Sequence, residues 1–126
     1  MVLVYPVLFT RTGDEKDTYL VEIPDIRGLT EGYGIADAIR MARDYIGLHF
    51  CRMDDEKITP PSRIEDIDPQ KGEFSGDGET TVSLVDLDLD AYRRSLSKKS
   101  VRRNVTLPGW LDEEATKRHI NVSRVL

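Results

Sequence analysis

Residues 35–53 read IADAIRMARDYIGLHFCRM, and this stretch decides the architecture. Ile35, Ala38, Ile39, Ala42, Ile46, Phe50 and Met53 recur at three- and four-residue steps, with Asp37, Arg40, Arg43 and Asp44 off that stripe. Apolar side chains at this period share one side of a helix, so the stretch predicts an amphipathic α-helix of about five turns. Asp54-Asp55-Glu56-Lys57 ends it. Such a helix needs a flat apolar surface to lie on, and the flanking sequence supplies strands.

Upstream, Val2–Phe9 is almost wholly apolar with one proline, Pro6, which argues for a strand that is an edge or is interrupted there. After a polar turn, Tyr19, Val21 and Ile23 alternate with Leu20 and Glu22, a second strand ended by Pro24-Asp25. Gly28–Tyr33 makes a third. Downstream, Ile58–Gly78 is rich in prolines, glycines and charges and reads as an extended crossing with a mobile tip. Thr80–Leu89 returns as a strand, and Asp90–Leu96 reads as a short closing helix. The order is β-β-β-α-β-(α): an α+β fold, one main helix packed on a small sheet. The expected organisation is a domain over residues 1–95 and an appended segment over 96–126, joined by a polar, basic linker at Ser95–Ser100.

The two parts differ electrically. Residues 1–95 hold eleven basic residues against twenty acids, a balance of −9, while residues 96–126 hold seven against three, a balance of +4. A basic end on an acidic body suits two partners of opposite charge, a polyanion such as DNA and a basic protein. No apolar run reaches the roughly 18 residues a membrane span needs. The apolar N-terminus lacks the basic start and small-residue cleavage site of a signal peptide. The single Cys51 excludes an internal disulfide, reads as a packed helix residue, and suits a reducing, cytoplasmic setting.

Catalytic patterns are wanting. His49 and His119 have no Ser, Cys or carboxylate partner in sequence and read as structural. Gly28, Gly32 and Gly34 sit at turn spacing without a phosphate-cradling pattern. Asp86, Asp88 and Asp90 stripe one strand face, and read as a solvated edge that discourages aggregation. A metal-dependent nuclease of ribonuclease-H type would need carboxylates converging from neighbouring elements, and the first strand carries none. No cofactor or metal is called for.

In the basic segment, Val101, Arg103, Val105 and Leu107 alternate with Arg102, Asn104 and Thr106, a strand stopped by Pro108. Gly109–His119 follows as a helix with acids early and bases late, and Asn121 is a good N-cap for a second helix. Strand, helix and helix start in this order resemble the ribbon-helix-helix repressors. That resemblance implies that two chains pair their strands in the DNA major groove. Arg102, Asn104 and Thr106 would then touch base edges, while Asn121 to Ser123 hold a phosphate. Six residues follow Ile120, short of the second helix that builds such dimers, so the segment reads as incomplete.

Five pieces in order carry a wider resemblance: Tyr5-Pro6-Val7; YLVEIPDIRGL; Glu31-Gly32 before Ala36-Asp37-Ala38; Ile58-Thr59-Pro60-Pro61-Ser62; and VDLDLDAYRR followed by RRNVTLPGWLDEEA. Together they resemble the HicB antitoxins. The resemblance implies a partial ribonuclease-H-like fold without catalytic role. It would occlude a small basic mRNA-cutting toxin of HicA type, while the C-terminal module represses the operon. Toxin contact is expected on the acidic rim of Asp25, Glu31 and Asp37, in a homodimer or larger assembly. Two other readings stand beside it. One is a DNA-binding regulator without a toxin, its body sensing a small ligand. The other is the nuclease above, dependent on Asp86 or Asp88.

Overall fold

A computed structural model describes residues 1–106, of which 98–106 as backbone alone. The chain divides into two compact units, Met1–Arg93 and Arg94–Leu126. Strands β1 (Val2–Arg11), β2 (Thr18–Ile23), β3 (Gly28–Tyr33) and β4 (Glu79–Asp88) form one antiparallel sheet in the order β3-β2-β1-β4. Helix α1 (Ile35–Phe50) packs on one face, and α2 (Leu89–Thr106) follows β4 directly. The α+β fold, with its one main helix on a small sheet, is as the hydrophobic periods predict.

The position of β1 is not. Pro6 argues for an edge or a break, yet β1 runs unbroken through the sheet interior. The ladder explains how. Thr12 donates its N–H to the Thr18 carbonyl at 3.1 Å, so even-numbered residues of β1 bond towards β2. The β1–β2 ladder spans Leu8–Arg11 against Tyr19–Glu22, so the missing N–H of Pro6 lies beyond its end. Proline therefore removes no hydrogen bond here.

The core lies between sheet and helix. Tyr5, Val7 and Phe9 of β1, Val21 and Ile23 of β2, Val85 and Leu87 of β4, and Leu89 meet Ala38, Ala42, Ile46 and Phe50 of α1. The Tyr5 and Phe50 rings stack with centroids 5.7 Å apart. Of the predicted helical stripe, Ile35 is exposed and Met53 lies past the helix end. Small residues bring the layers close: a Cβ on Gly32 would lie 2.6 Å from the Ala38 backbone, so α1 rests on β3 through a residue without a side chain.

The crossing from Ile58 to Gly78 is anchored at several points. It contains 3₁₀ turns at Ile64–Asp66 and Pro69–Lys71. The buried Tyr5 hydroxyl donates to the Thr59 carbonyl. Asp25 accepts from the Ser62 N–H at 2.8 Å, and Glu22 from the Glu73 N–H at 2.7 Å.

At the C-terminal side the expected linker at 95–100 and strand at Val101–Leu107 give way to α2 as far as Thr106. The start of α2 is fixed, since Asp88 accepts the Ala91 N–H at 3.1 Å. No proline occurs between Leu89 and Thr106, so nothing stops propagation, whereas an isolated strand has no ladder to join. The expected helix Gly109–His119, and Asn121 and Ser123, lie outside the described residues.

Candidate functional site

The three carboxylates of the expected rim have different roles. Asp25 sits in the 3₁₀ turn Pro24–Ile26 after β2, where its two oxygens hold the Ser62 N–H and hydroxyl, the latter at 2.5 Å. It anchors the crossing. Asp37, in the first turn of α1, accepts the Tyr33 N–H at 2.9 Å and an Arg40 N–H at 2.6 Å. Partial burial pushes its carboxyl up, but the Tyr33 amide and the Arg40 guanidinium outweigh it and hold the group below the ordinary carboxylate range. Asp37 therefore closes the corner between β3 and α1. Glu31, exposed on β3, accepts the Tyr33 hydroxyl at 3.0 Å. The structure thus gathers Glu31 and Asp37 around Tyr33 and leaves Asp25 at the other end of β3, with exposed Leu29, Tyr33 and Ile35 along this side.

The aspartate stripe also divides. Asp86 and Asp88 share the outer face of β4, but Asp90 lies in α2, because the strand ends at Asp88. Asp86 takes the Arg43 guanidinium at 3.1 Å, and Asp90 pairs with the N-terminal amine at 2.5 Å. The Asp90 hydrogen bond raises the pKa of that amine above its ordinary value.

Sequence reasoning missed Tyr92 and Arg93. Arg93 donates from Nε to the Cys51 carbonyl at 3.0 Å, and from its two terminal nitrogens to the Met53 carbonyl at 2.8 Å and Asp55 at 3.0 Å. It thereby satisfies two carbonyls of the turn that follows α1. Tyr92 lies over Gly47 and donates its hydroxyl to Asp44 at 2.9 Å. Burial, then the Asp44 charge, keep that phenol protonated far above its ordinary range. Only the arginine pair at 93–94 hinted at such a clasp, and nothing in its spacing names the partners.

Arg102, Asn104 and Thr106 fall within α2. Steps of two residues share a face in a strand and not in a helix, so a common base-reading face requires the extended form.

The sequence over residues 5–126 matches a known family, described as the HicB-like antitoxin of bacterial toxin–antitoxin systems. The chain belongs to this HicB-like antitoxin family. It is an antitoxin family rather than a family of enzymes. Two solved structures are similar to this HicB-like chain. One is a chain of a toxin–antitoxin complex from Streptococcus pneumoniae, 25% identical, TM-score 0.62, covering 98% of this chain and 93% of that one. The other is the N-terminal domain of antitoxin HicB from Burkholderia pseudomallei, 29% identical, TM-score 0.52, covering 69% of this chain and 100% of that one. No curated protein sequence matches it. Among the described residues of this HicB-like chain, no helix is long and apolar enough to cross a membrane.

Proposed function

We propose that this HicB-like antitoxin binds and occludes a small, basic, mRNA-cleaving toxin of HicA type in the cytoplasm, and represses its own operon through its C-terminal segment. The observation that carries the reading is the family match along residues 5–126, beside a structural likeness to a chain of a toxin–antitoxin complex. Charge supports it. The unit Met1–Arg93 holds twenty acids against ten basic residues, which attracts a cationic partner, and residues 96–126 carry the opposite sign. The body is the toxin-binding part and 96–126 the DNA-binding part. Of the acidic rim, Glu31 contributes attraction at a distance, while Asp25 and Asp37 are engaged within the fold.

For DNA, the segment acts as a dimer. A second chain supplies the ladder partner that a lone strand lacks, residues 101–107 turn extended, and Arg102, Asn104 and Thr106 face the bases together. Asn121 and Ser123 meet a phosphate. The test is co-expression of the full chain with the small basic protein of its operon, only one of them tagged. A stoichiometric complex that suppresses RNA cleavage supports the toxin reading. Separate elution, with RNA cleaved freely, refutes it and leaves a DNA-binding regulator.

A further inference from the structure

Among the described residues, the outer edge of β4 has no paired strand. Leu89 donates its N–H to the Met1 carbonyl at 3.0 Å, in register with the pairs Leu3↔Leu87 and Tyr5↔Val85. This fixes the alternation: Glu79, Thr81, Ser83, Val85 and Leu87 turn both backbone groups to β1. Thr80, Val82, Leu84, Asp86 and Asp88 turn theirs outward. β4 is the last strand of the sheet, and among the described residues no other segment takes up that edge with backbone hydrogen bonds. Arg43 closes its lower end by donating Nε–H to the Asp86 carbonyl at 2.8 Å. Thr80, Val82 and Leu84 remain, a row of alternating donors and acceptors.

Beside this row lies apolar surface on the same face of the sheet: Val2 is 63% exposed, Val4 38% and Leu84 51%. Open edges are commonly blunted with a lysine, an inward-pointing charge or a proline. Here Thr80–Leu84 carries none of them. An unprotected edge flanked by apolar side chains is the surface that an added strand uses, its main chain supplying affinity and its alternate side chains specificity.

Charge selects the occupant. β4 holds Glu79, Asp86 and Asp88 and no basic residue, in a unit with twice as many acids as bases. A second copy would bring the same net negative charge to an interstrand spacing of about 4.8 Å, within one screening length of about 8 Å. A strand with Lys or Arg at its cross-strand positions meets opposite charge instead. We propose that the outer edge of β4 over Thr80–Leu84, with Val2, Val4 and Leu84, is where the basic toxin docks, by adding one of its strands to the sheet. This rests on the toxin reading above and moves the contact from the Glu31–Asp37 side to the opposite edge of the sheet.

The experiment uses the full chain and the toxin of its operon in a catalytically silent form. Leu84→Pro deletes an outward N–H while leaving every β1–β4 hydrogen bond in place, and Leu84→Lys sets a cation where the toxin brings its own. Each weakens toxin binding by about tenfold or more, while Leu29→Lys on the other edge stays within about twofold. Amide exchange on the wild-type complex gives a reading independent of any variant. The Thr80, Val82 and Leu84 amides exchange fast in the isolated chain and slowly in the complex, while those of Thr81, Ser83 and Val85 are protected in both. If the toxin binds and these three amides stay unprotected, or Leu29→Lys abolishes binding and the Leu84 variants do not, the β4 assignment falls and the toxin reading survives. Protection that appears in the isolated chain as its concentration rises assigns the edge to a second copy and overturns the proposal. If the wild type binds no toxin, both readings fall.

Discussion

Gly47→Ala sets two effects of opposite sign against each other, and the packing of Tyr92 decides between them. In a helix interior alanine is favoured over glycine by about 1 kcal/mol, so α1 alone should gain. The new Cβ, however, would lie 2.6 Å from Tyr92 ring atoms, a separation that real contacts do not reach. Tyr92 is held by its hydrogen bond to Asp44 and cannot simply swing away. Overpacking of this kind costs about 1–3 kcal/mol, so the single variant loses on the order of 1 kcal/mol net. In a Tyr92→Ala background the obstacle is gone, and Gly47→Ala should then stabilise by up to about 1 kcal/mol. The two substitutions therefore couple by about 2 kcal/mol, with a reversal of sign that a solvation effect would not give. Urea denaturation of the full-length single and double variants, followed by far-ultraviolet circular dichroism, measures all four corners of the cycle. Stabilisation by Gly47→Ala in the wild-type background, or equal destabilisation in both backgrounds, would refute the packing of Tyr92 over Gly47.

Arg93→Met keeps the side-chain length but strands the Cys51 and Met53 carbonyls and Asp55; the expected loss is about 2 kcal/mol, or on the order of 10 °C in Tm, and an unchanged Tm refutes the clasp. For Asp37 the folded pKa is depressed, so its contribution to stability is fully present above the unfolded value of about 3.9 and is lost as pH falls through the folded pKa. The Tm difference between wild type and Asp37→Asn should accordingly be positive at pH 7 and shrink as pH drops below about 4; a difference flat with pH would show that the carboxylate charge does not act there. Arg102→Ala should weaken operator binding by about 1–3 kcal/mol in a gel-shift titration with little change in toxin binding, and unchanged operator affinity would show that the strand-face assignment is wrong.

Much of the fold was legible because hydrophobic period reports burial directly. The three-and-four spacing of Ala38, Ala42, Ile46 and Phe50 and the two-residue spacing of Tyr19, Val21 and Ile23 each describe one buried face. What period does not report is which strand lies beside which. Pro6 pointed to an edge, and only the length of the β1–β2 ladder shows why an interior strand accepts it. The strand expected at Val101–Leu107 is helix over residues 101–106. Its alternation is real, but a strand is stabilised by its neighbour, and among the described residues no strand pairs with that segment. Among the candidate site residues, the acidic character of Asp25 and Asp37 was visible, but their commitments were not. The partner of Asp25 lies 37 residues downstream, and the donors to Asp37 are a backbone amide and an arginine one turn along. Position relative to a distant loop leaves no mark on composition.

Placing β4 beside β1 has a consequence for how the unit Met1–Arg93 responds to a cut in its loop. A protease that nicks the turn at Ser75–Gly78 severs the chain without releasing either piece, because the fragment downstream of the cut stays zipped to Val2–Arg11 along ten paired residues. The two fragments should behave as a split protein, able to re-form the sheet when made separately. Separating the two pieces then requires peeling off β4 or unfolding the unit Met1–Arg93, so dissociation of the nicked unit is set by the opening of β4 rather than by access to the loop.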